Sequence, residues 1–261
     1  MEGDNYRSLF FILSALAVCC AELLAPRRDG NKSRLKRWPV NFGIVFIGAL
    51  LCRIVLPILP VGLAVELNSN HWGVLPASHI GRPYDFIISI VVFDLAIYFQ
   101  HRAFHHFKIL WMLHRTHHAD TVYDFSTGIR FHPFEILLST FWKMLLVFIL
   151  GPPASAVLVF EIILNSLAMF NHANFKLPLK FDSFLRLFIV TPDTHRVHHS
   201  VYFKENNSNF GFNVPWWDRL FKTYIPQPED GHENMKIGLN IFRSPEYFSF
   251  YKVILTPFIK P

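Results

Sequence analysis

Three short histidine clusters dominate the chemistry available to this 261-residue chain: His101-Arg-Ala-Phe-His105-His106, His114-Arg-Thr-His117-His118 and His195-Arg-Val-His198-His199. On a helix, a spacing of three or four residues returns side chains to one face, so each cluster can present two or three imidazole nitrogens to a common point. Neutral imidazoles crowded beside long apolar runs are costly unless something uses their lone pairs, which points to metal binding. Imidazole-rich sites suit zinc, copper, iron or nickel, whereas magnesium and calcium want oxygen. Structural zinc takes four ligands and catalytic zinc three, so this many histidines exceed the needs of one ion and imply two. Two ions held mostly by neutral nitrogen leave positive charge uncompensated, so a bridging oxygen ligand and nearby carboxylates are expected. Asp94, Asp120, Glu135 and Asp193 are the carboxylates placed to orient ligands, although each could equally cap a helix or face solvent. His71, His79, His106 and His232 stand outside the spaced pattern and read as ordinary histidines.

The elements that must position these residues are apolar. Hydrophobic residues make up 52% of the chain and charged residues 17%, which favours one integral membrane domain over soluble ones. Residues 8–25 are long enough to span, and the leader before them carries Glu2, Asp4 and Arg7 without a positive excess, so no cleaved signal is expected. The next segment holds Arg27, Arg28, Lys32, Arg34, Lys36 and Arg37 against Asp29 alone, which places it in the cytoplasm and the amino terminus outside. A second span over 40–65 is expected to kink at Pro57 and Pro60, and it carries Arg53, which needs a partner or a route to the interface. A third run, 85–100, leads directly into His101. Runs at 135–150 and 154–170, broken by Gly151-Pro152-Pro153, predict a helical hairpin that delivers His172 back to the same side. Counting spans from the charge pattern therefore puts all three clusters and His172 on one face. Residues 241–258, a mixture of Phe, Tyr, Ile and Leu with a few charges, predict an interfacial helix. The expected fold class is all-α and polytopic, with four to five transmembrane or membrane-hairpin helices and a cytoplasmic histidine-rich helical cap.

Other chemistries are not supported. Cys19, Cys20 and Cys52 lie in apolar segments without a paired spacing, so neither a disulfide framework nor a thiolate metal site is indicated. The net charge of +6 comes from basic residues beside apolar stretches, and no nucleic-acid motif accompanies it. The soluble di-iron pattern of Glu-x-x-His pairs has one match, Glu229 to His232, in a loop containing Pro and Gly. The 28 phenylalanines would suit a hydrocarbon tunnel, although lipid-facing packing accounts for most of them.

The motifs Asp94-x-x-x-Tyr98-x-x-His101-Arg102-x-x-His105, Leu110-Trp111-x-x-His114-x-x-His117-His118, Arg130-Phe131-His132-Pro133, Asn171-His172-Ala173-Asn174 and Thr191-Pro192-x-x-His195-Arg196-x-His198-His199-Ser200 resemble the fatty acid hydroxylase/sterol desaturase superfamily of membrane di-iron oxygenases. Asn209-Phe210-Gly211-x-Asn213 and Trp217-Asp218-Arg219-Leu220-Phe221-x-Thr223-Tyr224 are similar as well. The resemblance divides the chain into amino-terminal spans (1–84), a hydroxylase-like domain (85–224) and a carboxy-terminal interfacial segment (225–261). It implies that His101, His105, His114, His117, His118, His195, His198 and His199 are metal ligands, with His172 a ninth and His132 either a tenth or a structural residue. It further implies two iron ions, for which zinc can substitute on purification, and dioxygen as co-substrate. The implied activity is hydroxylation or desaturation of a C–H bond in a lipid, sterol-like or other long apolar substrate. Electrons would come from an external reductase with a ferredoxin- or cytochrome-type carrier, since no dinucleotide fingerprint or cytochrome-like segment is visible. A carotenoid hydroxylase has a related histidine arrangement, and a membrane metal-binding or transport protein is the alternative from another class. Membrane lipids are the remaining expected partner and nucleic acid is not one. A bacterial inner membrane is favoured over the endoplasmic reticulum, because no retention signal is evident.

Overall fold

A computed structural model describes residues 2–28 and 33–260. Asp29 and Lys32 of the basic run, the Glu2 and Asp4 side chains of the leader, and the terminal residues 1 and 261 of the outer segments lie outside what is described. Among the described residues the chain is helical, with two isolated bridges, Pro26 to Phe175 and Ser200 to Ile237, and no strand. Five stretches are long and apolar enough to cross a membrane: Asn5–Leu24, Arg34–Ser78, Arg82–His106, Pro133–Leu150 and Ala154–Asn171.

Proline and glycine set the borders of these helices. After α1 (Glu2–Leu24), α2 (Arg34–Val55) ends where Leu56, the residue before Pro57, turns extended at φ −100° and ψ 119°. The next helix, α3 (Pro60–Ser69), restarts with Pro60 in its first turn, where a missing N–H costs nothing. The expected single kinked span over 40–65 is thus two helices separated by a break. Short α4 (Val74–Ser78) leads to α5 (Arg82–His106) and α6 (Lys108–His118). The predicted hairpin is α7 (Pro133–Leu150) and α8 (Ala154–Asn171). Its tip requires glycine: Gly151 has φ +60°, and a Cβ there would strike the Trp72 carbonyl.

Helix α1 packs along α8, α2 along α7, and α5 against α6 and α8. One apolar cluster joins Ala64, Phe93, Val147 and Phe160, and a second joins Val18, Phe125, Ile129 and Met169. Leu16, Phe46, Ile54, Phe141 and Phe148 point outward and exposed, as side chains that meet lipid would. The ends of α1, α5 and α8 and the starts of α2 and α7 gather at one end of the bundle. There Lys176 N–H donates to the Ala25 carbonyl at 2.9 Å, and Arg37 of α2 reaches Asp120 and Asp124 beyond α6.

Short helices α9 (Leu179–Leu185), α10 (Pro192–His198), α11 (Phe203–Asn206), α12 (Trp216–Leu220) and α13 (Gly231–Asn234) form the cap over this end. The expected interfacial helix over 241–258 is instead a 3₁₀ turn (Pro245–Phe248), α14 (Phe250–Leu255) and another 3₁₀ turn (Thr256–Phe258). Pro245 and Pro257 each remove a helical donor and interrupt it. This segment is fastened inward. Val253 packs on Val40 and Ile44, and the Arg115 guanidinium donates to the carbonyls of Thr256 (2.6 Å) and Ile259 (2.5 Å).

Candidate metal centre

The last turns of α5, α6 and α10 and the C-cap residues of α8 and α10 bring nine histidines into two groups. His101 and His105 come from α5, His114 and His118 from α6 and His198 from α10; each offers one nitrogen, and all five nitrogens lie within 4.8 Å of one another. His117 of α6, His172 at the end of α8, and His195 and His199 from α10 and its cap form the second group under the same limit. Consecutive residues on a helix point about 100° apart, which lets His117 and His118 serve different groups from one turn.

In the first group the Nε2 atoms of His101, His105, His114, His118 and His198 are buried with no hydrogen-bond partner. The opposite nitrogens are held. His101 Nδ1–H donates to the Phe210 carbonyl (2.9 Å), His198 Nδ1–H to the Ser208 carbonyl (2.7 Å) and His114 Nδ1–H to Glu135 Oε1 (2.6 Å). The Asn206 amide lies 3.0 Å from His118 Nδ1. Fixing one ring nitrogen by an acceptor leaves the other lone pair aimed at a metal. In the second group His172 Nε2 stands 3.1 Å from the Nε2 atoms of His117, His195 and His199. Its Nδ1–H donates to the Ala168 carbonyl (2.7 Å). Nitrogens about 2.0–2.1 Å from one tetrahedral ion would stand about 3.3 Å apart, so the observed spacing has the right scale for a single ion. The donor set of each group therefore fits a nitrogen-preferring transition metal.

The remaining sequence candidates fall elsewhere. His132 belongs to neither group: its Nδ1 accepts from the Phe134 N–H and its Nε2 faces the Ile254 carbonyl, both at 3.2 Å. Of the four carboxylates, only Glu135 touches a grouped histidine. Asp120 is bound by Arg37 and Thr127, Asp94 accepts from Trp217 Nε1 (2.6 Å), and Asp193 pairs with Arg196 and Arg27. Sequence reading missed Asn206 and the carbonyls of Phe210, Ser208 and Ala168; a backbone acceptor carries no residue-type signal. Phe131, singled out in the sequence only as part of the Arg130-Phe131-His132-Pro133 motif, stacks its ring on His117 at 4.5 Å and 11° and shields that face.

Burial pushes the His114 and His172 imidazoles down to about 3, and burial with neighbouring histidines holds His117, His118, His195, His198 and His199 well below the usual range. The rings are neutral at physiological pH and their lone pairs are available. A cavity of about 180 Å³ adjoins the first group, with His101 and His114 in a wall otherwise built largely from Ile97, Phe104, Ile129 and Phe212. Gly128 also lines it, and a Cβ there would collide with the Ala168 carbonyl and crowd His172.

The fold and site define a class: a bundle of membrane-length apolar helices capped at one end by two buried polyhistidine groups. The fatty acid hydroxylase family model matches residues 86–223, and the chain belongs to that family. It is accordingly a multi-pass membrane protein. Among curated relatives it is 27% identical over 175 residues to an ornithine lipid hydroxylase of Rhizobium tropici, covering 67% of this chain and 50% of that one. It is 28% identical over 161 residues to the human (Homo sapiens) alkylglycerol monooxygenase, covering 61% of this chain and 35% of that one. A very-long-chain aldehyde decarbonylase of Oryza sativa matches at 25% over 185 residues, 69% of each chain. The chain spans half or less of the length of the first of these relatives. No solved structure matches it.

Proposed function

We propose that this chain is a dioxygen-dependent di-iron hydroxylase acting on a C–H bond of a membrane lipid. The observation that carries the reading is the pair of buried, neutral histidine groups, the first of which borders an apolar cavity at His101 and His114. His101, His105, His114, His118 and His198 would hold one iron, and His117, His172, His195 and His199 the other. Bound there, the iron pair supplies the oxidant for the net change R–H + O₂ + two electrons + two protons → R–OH + H₂O. The electrons come from an external carrier of ferredoxin or cytochrome type.

The protein's part is to bind, orient and exclude water. Glu135 fixes the His114 ring, the carbonyls of Phe210 and Ser208 fix His101 and His198, and Phe131 covers His117. The apolar wall aligns a hydrocarbon segment beside His101 and His114, and positioning of this kind accounts for much of what an enzyme contributes to an oxidation its cofactor performs. Relatives named for ornithine lipid hydroxylation and alkylglycerol monooxygenation support a lipid substrate and hydroxylation rather than desaturation. The basic run around Arg27, Arg28, Arg34 and Arg37 supports a cytoplasmic site.

The test compares lipids by untargeted mass spectrometry from aerobic cells expressing the wild-type chain or His117→Ala. A species heavier by one oxygen, present only with the wild type, is the expected result. A species lighter by two hydrogens would replace hydroxylase with desaturase. Matching profiles in a host shown to supply electrons to a related hydroxylase would overturn the reading.

A further inference from the structure

The short helices α9 and α12 of the cap are turned inside out. In α9, Asp182 is buried and pairs with Arg186 just past the helix end, while Leu179, Phe181 and Phe184 face outward at 72%, 50% and 57% exposure. Its hydroxyl, on Ser183, donates back to the Leu179 carbonyl of the same helix (2.8 Å). In α12, Asp218 is buried and accepts the N–H groups of Phe210 (2.8 Å) and Gly211 (2.7 Å), while Trp216 and Leu220 are exposed. A helix facing water shows the opposite pattern, with its apolar side inward and its charges outward. The two helices make one surface: Trp216 Nε1 donates to the Leu187 carbonyl (2.7 Å), Arg219 donates to the Arg186 carbonyl (2.8 Å), and the exposed Phe188 ring meets Phe184 at 5.3 Å.

The place of this surface in the fold identifies what covers it. Helix α12 stands beside α5: Trp217 Nε1 donates to Asp94 Oδ2 (2.6 Å), and the Phe221 ring stacks on Tyr98 (5.4 Å, 21°) and meets Phe99 at 5.1 Å. Ile87, Val91 and Phe99, spaced at multiples of four residues, share one exposed face of α5, so the apolar surface of α12 continues the outer face of a membrane-length helix. The apolar part of α5, residues 85–100, is about 24 Å long at about 1.5 Å per residue, short of the roughly 30 Å hydrocarbon core of a bilayer. Hydrocarbon therefore reaches the level of Tyr98 and Phe99, and with them α12. The charges agree. Across residues 176–188 and 216–222 the exposed charged residues are Lys176, Lys180, Arg219 and Lys222, all cationic, and both acids, Asp182 and Asp218, are buried. An apolar surface rimmed by cations is the complement of an anionic bilayer surface.

We propose that α9 and α12 form a seat in the leaflet at the histidine end of the bundle, with Phe181, Phe184, Phe188, Trp216 and Leu220 among acyl chains and the four cations at anionic lipid headgroups. This contact is additional to the five membrane-length stretches and independent of the hydroxylase reading. Residues 189–194 join the seat directly to the third histidine cluster, and Val190 N–H donates to the Asn213 carbonyl (2.9 Å). The bilayer thus holds the cap from outside and sets the height of α10 above the hydrocarbon.

The experiment reads tryptophan fluorescence and needs neither metal nor turnover. The full chain is placed in nanodiscs of phosphatidylcholine brominated on its acyl chains, and the Trp216 signal is taken as wild type minus Trp216→Phe. The Trp142 signal, obtained in the same way with Trp142→Phe, is the reference for an exposed indole on a membrane-length helix. Trp216 is expected to be quenched at least about half as strongly as Trp142, as an indole at the bilayer interface would be. A weaker response overturns the seat; aqueous iodide then distinguishes an indole in water from one covered by a second copy of the chain, which light scattering would show as a dimer. Phe184→Trp, which leaves the bond from Trp216 to Leu187 in place, repeats the measurement on α9. Brominated phosphatidylglycerol at equal mole fraction should quench Trp216 about twofold more than the phosphatidylcholine, and Lys180→Gln combined with Lys222→Gln should remove the difference. Equal quenching by the two lipids in the wild type would overturn the assignment of the cations to anionic headgroups.

Discussion

A histidine ligand depends on what holds its other ring nitrogen, because that contact selects the tautomer and the direction of the lone pair. Glu135 does this for His114 with an ionisable group, whereas His101, His172 and His198 use backbone carbonyls that substitution cannot remove. Glu135→Gln should therefore keep the helix but lower metal affinity in the first group by roughly 10–100-fold, the usual consequence of losing such a partner. Competition against a metal chelator measures it, and an unchanged affinity would show that packing alone fixes the ring. The same burial that keeps these rings neutral makes the metal-free protein acid-sensitive. His114 and His172 sit at about 3 when folded, against about 6.5 in an unfolded chain. Between those values the unfolded chain binds more protons, so stability rises with pH there and is lost as pH falls through about 6.5 toward 3. Thermal unfolding of the metal-free protein in detergent should show a Tm that is flat above pH 7 and drops by pH 5; a Tm that climbs on acidification would contradict the buried neutral rings.

At the scale of elements, the bundle is fastened at the histidine end by a buried ionic knot between the start of α2 and the loop after α6. Arg37 is fully buried and contacts both Asp120 and Asp124, with Thr127 bridging to Asp120. Replacing Arg37 by Met removes the cation that Asp120 and Asp124 both contact and should cost about 3–5 kcal/mol, with partial recovery when Asp120→Asn and Asp124→Asn are added. Thermal unfolding of the single and triple variants checks this, and a cost under about 1 kcal/mol would mean that water reaches the pair. Arg37 also marks a limit of sequence reading. The basic run correctly suggested the end of the bundle shared with the histidines, but local charge pattern does not distinguish a solvated arginine from one paired with Asp120 and Asp124, more than eighty residues away. The hairpin tip was legible because Gly151-Pro152-Pro153 leaves the backbone few alternatives. The break between α2 and α3 was visible at Pro57 and Pro60 as a disturbance, and only packing decided between a kink and two helices. Grouping of the histidines was visible as spacing, while their partition into five and four depends on how α5, α6, α8 and α10 meet in space.

Across the whole molecule, the two ends of the bundle are held together by different forces. At the far end, apolar side chains such as Phe93 and Phe160 interlock, and the Gly151 tip touches Gly73. At the near end, the cap is short helices of four to seven residues that have little helical stability of their own. Lipid removes most of the hydrophobic drive between spans, so the metals proposed for the histidine groups of α5, α6, α8 and α10 would be a principal fastening there. Ions present at a thousandfold above their Kd would add about 4 kcal/mol to the folded state. Chelation should then loosen the molecule unevenly. Hydrogen exchange should accelerate in α6, α10 and residues 199–210, while the amides of α3 and of α7 near Val147 keep their protection. Alanine at His195 should reproduce the change only in part: metal content should fall from two ions per chain toward one, because the five nitrogens of the other group remain. Loss of both ions in that variant would show instead that the groups fold and fill as one unit, through the shared turn that carries His117 and His118. Uniform acceleration along all five long helices on chelation would mean that the metals hold the whole bundle and not just its near end.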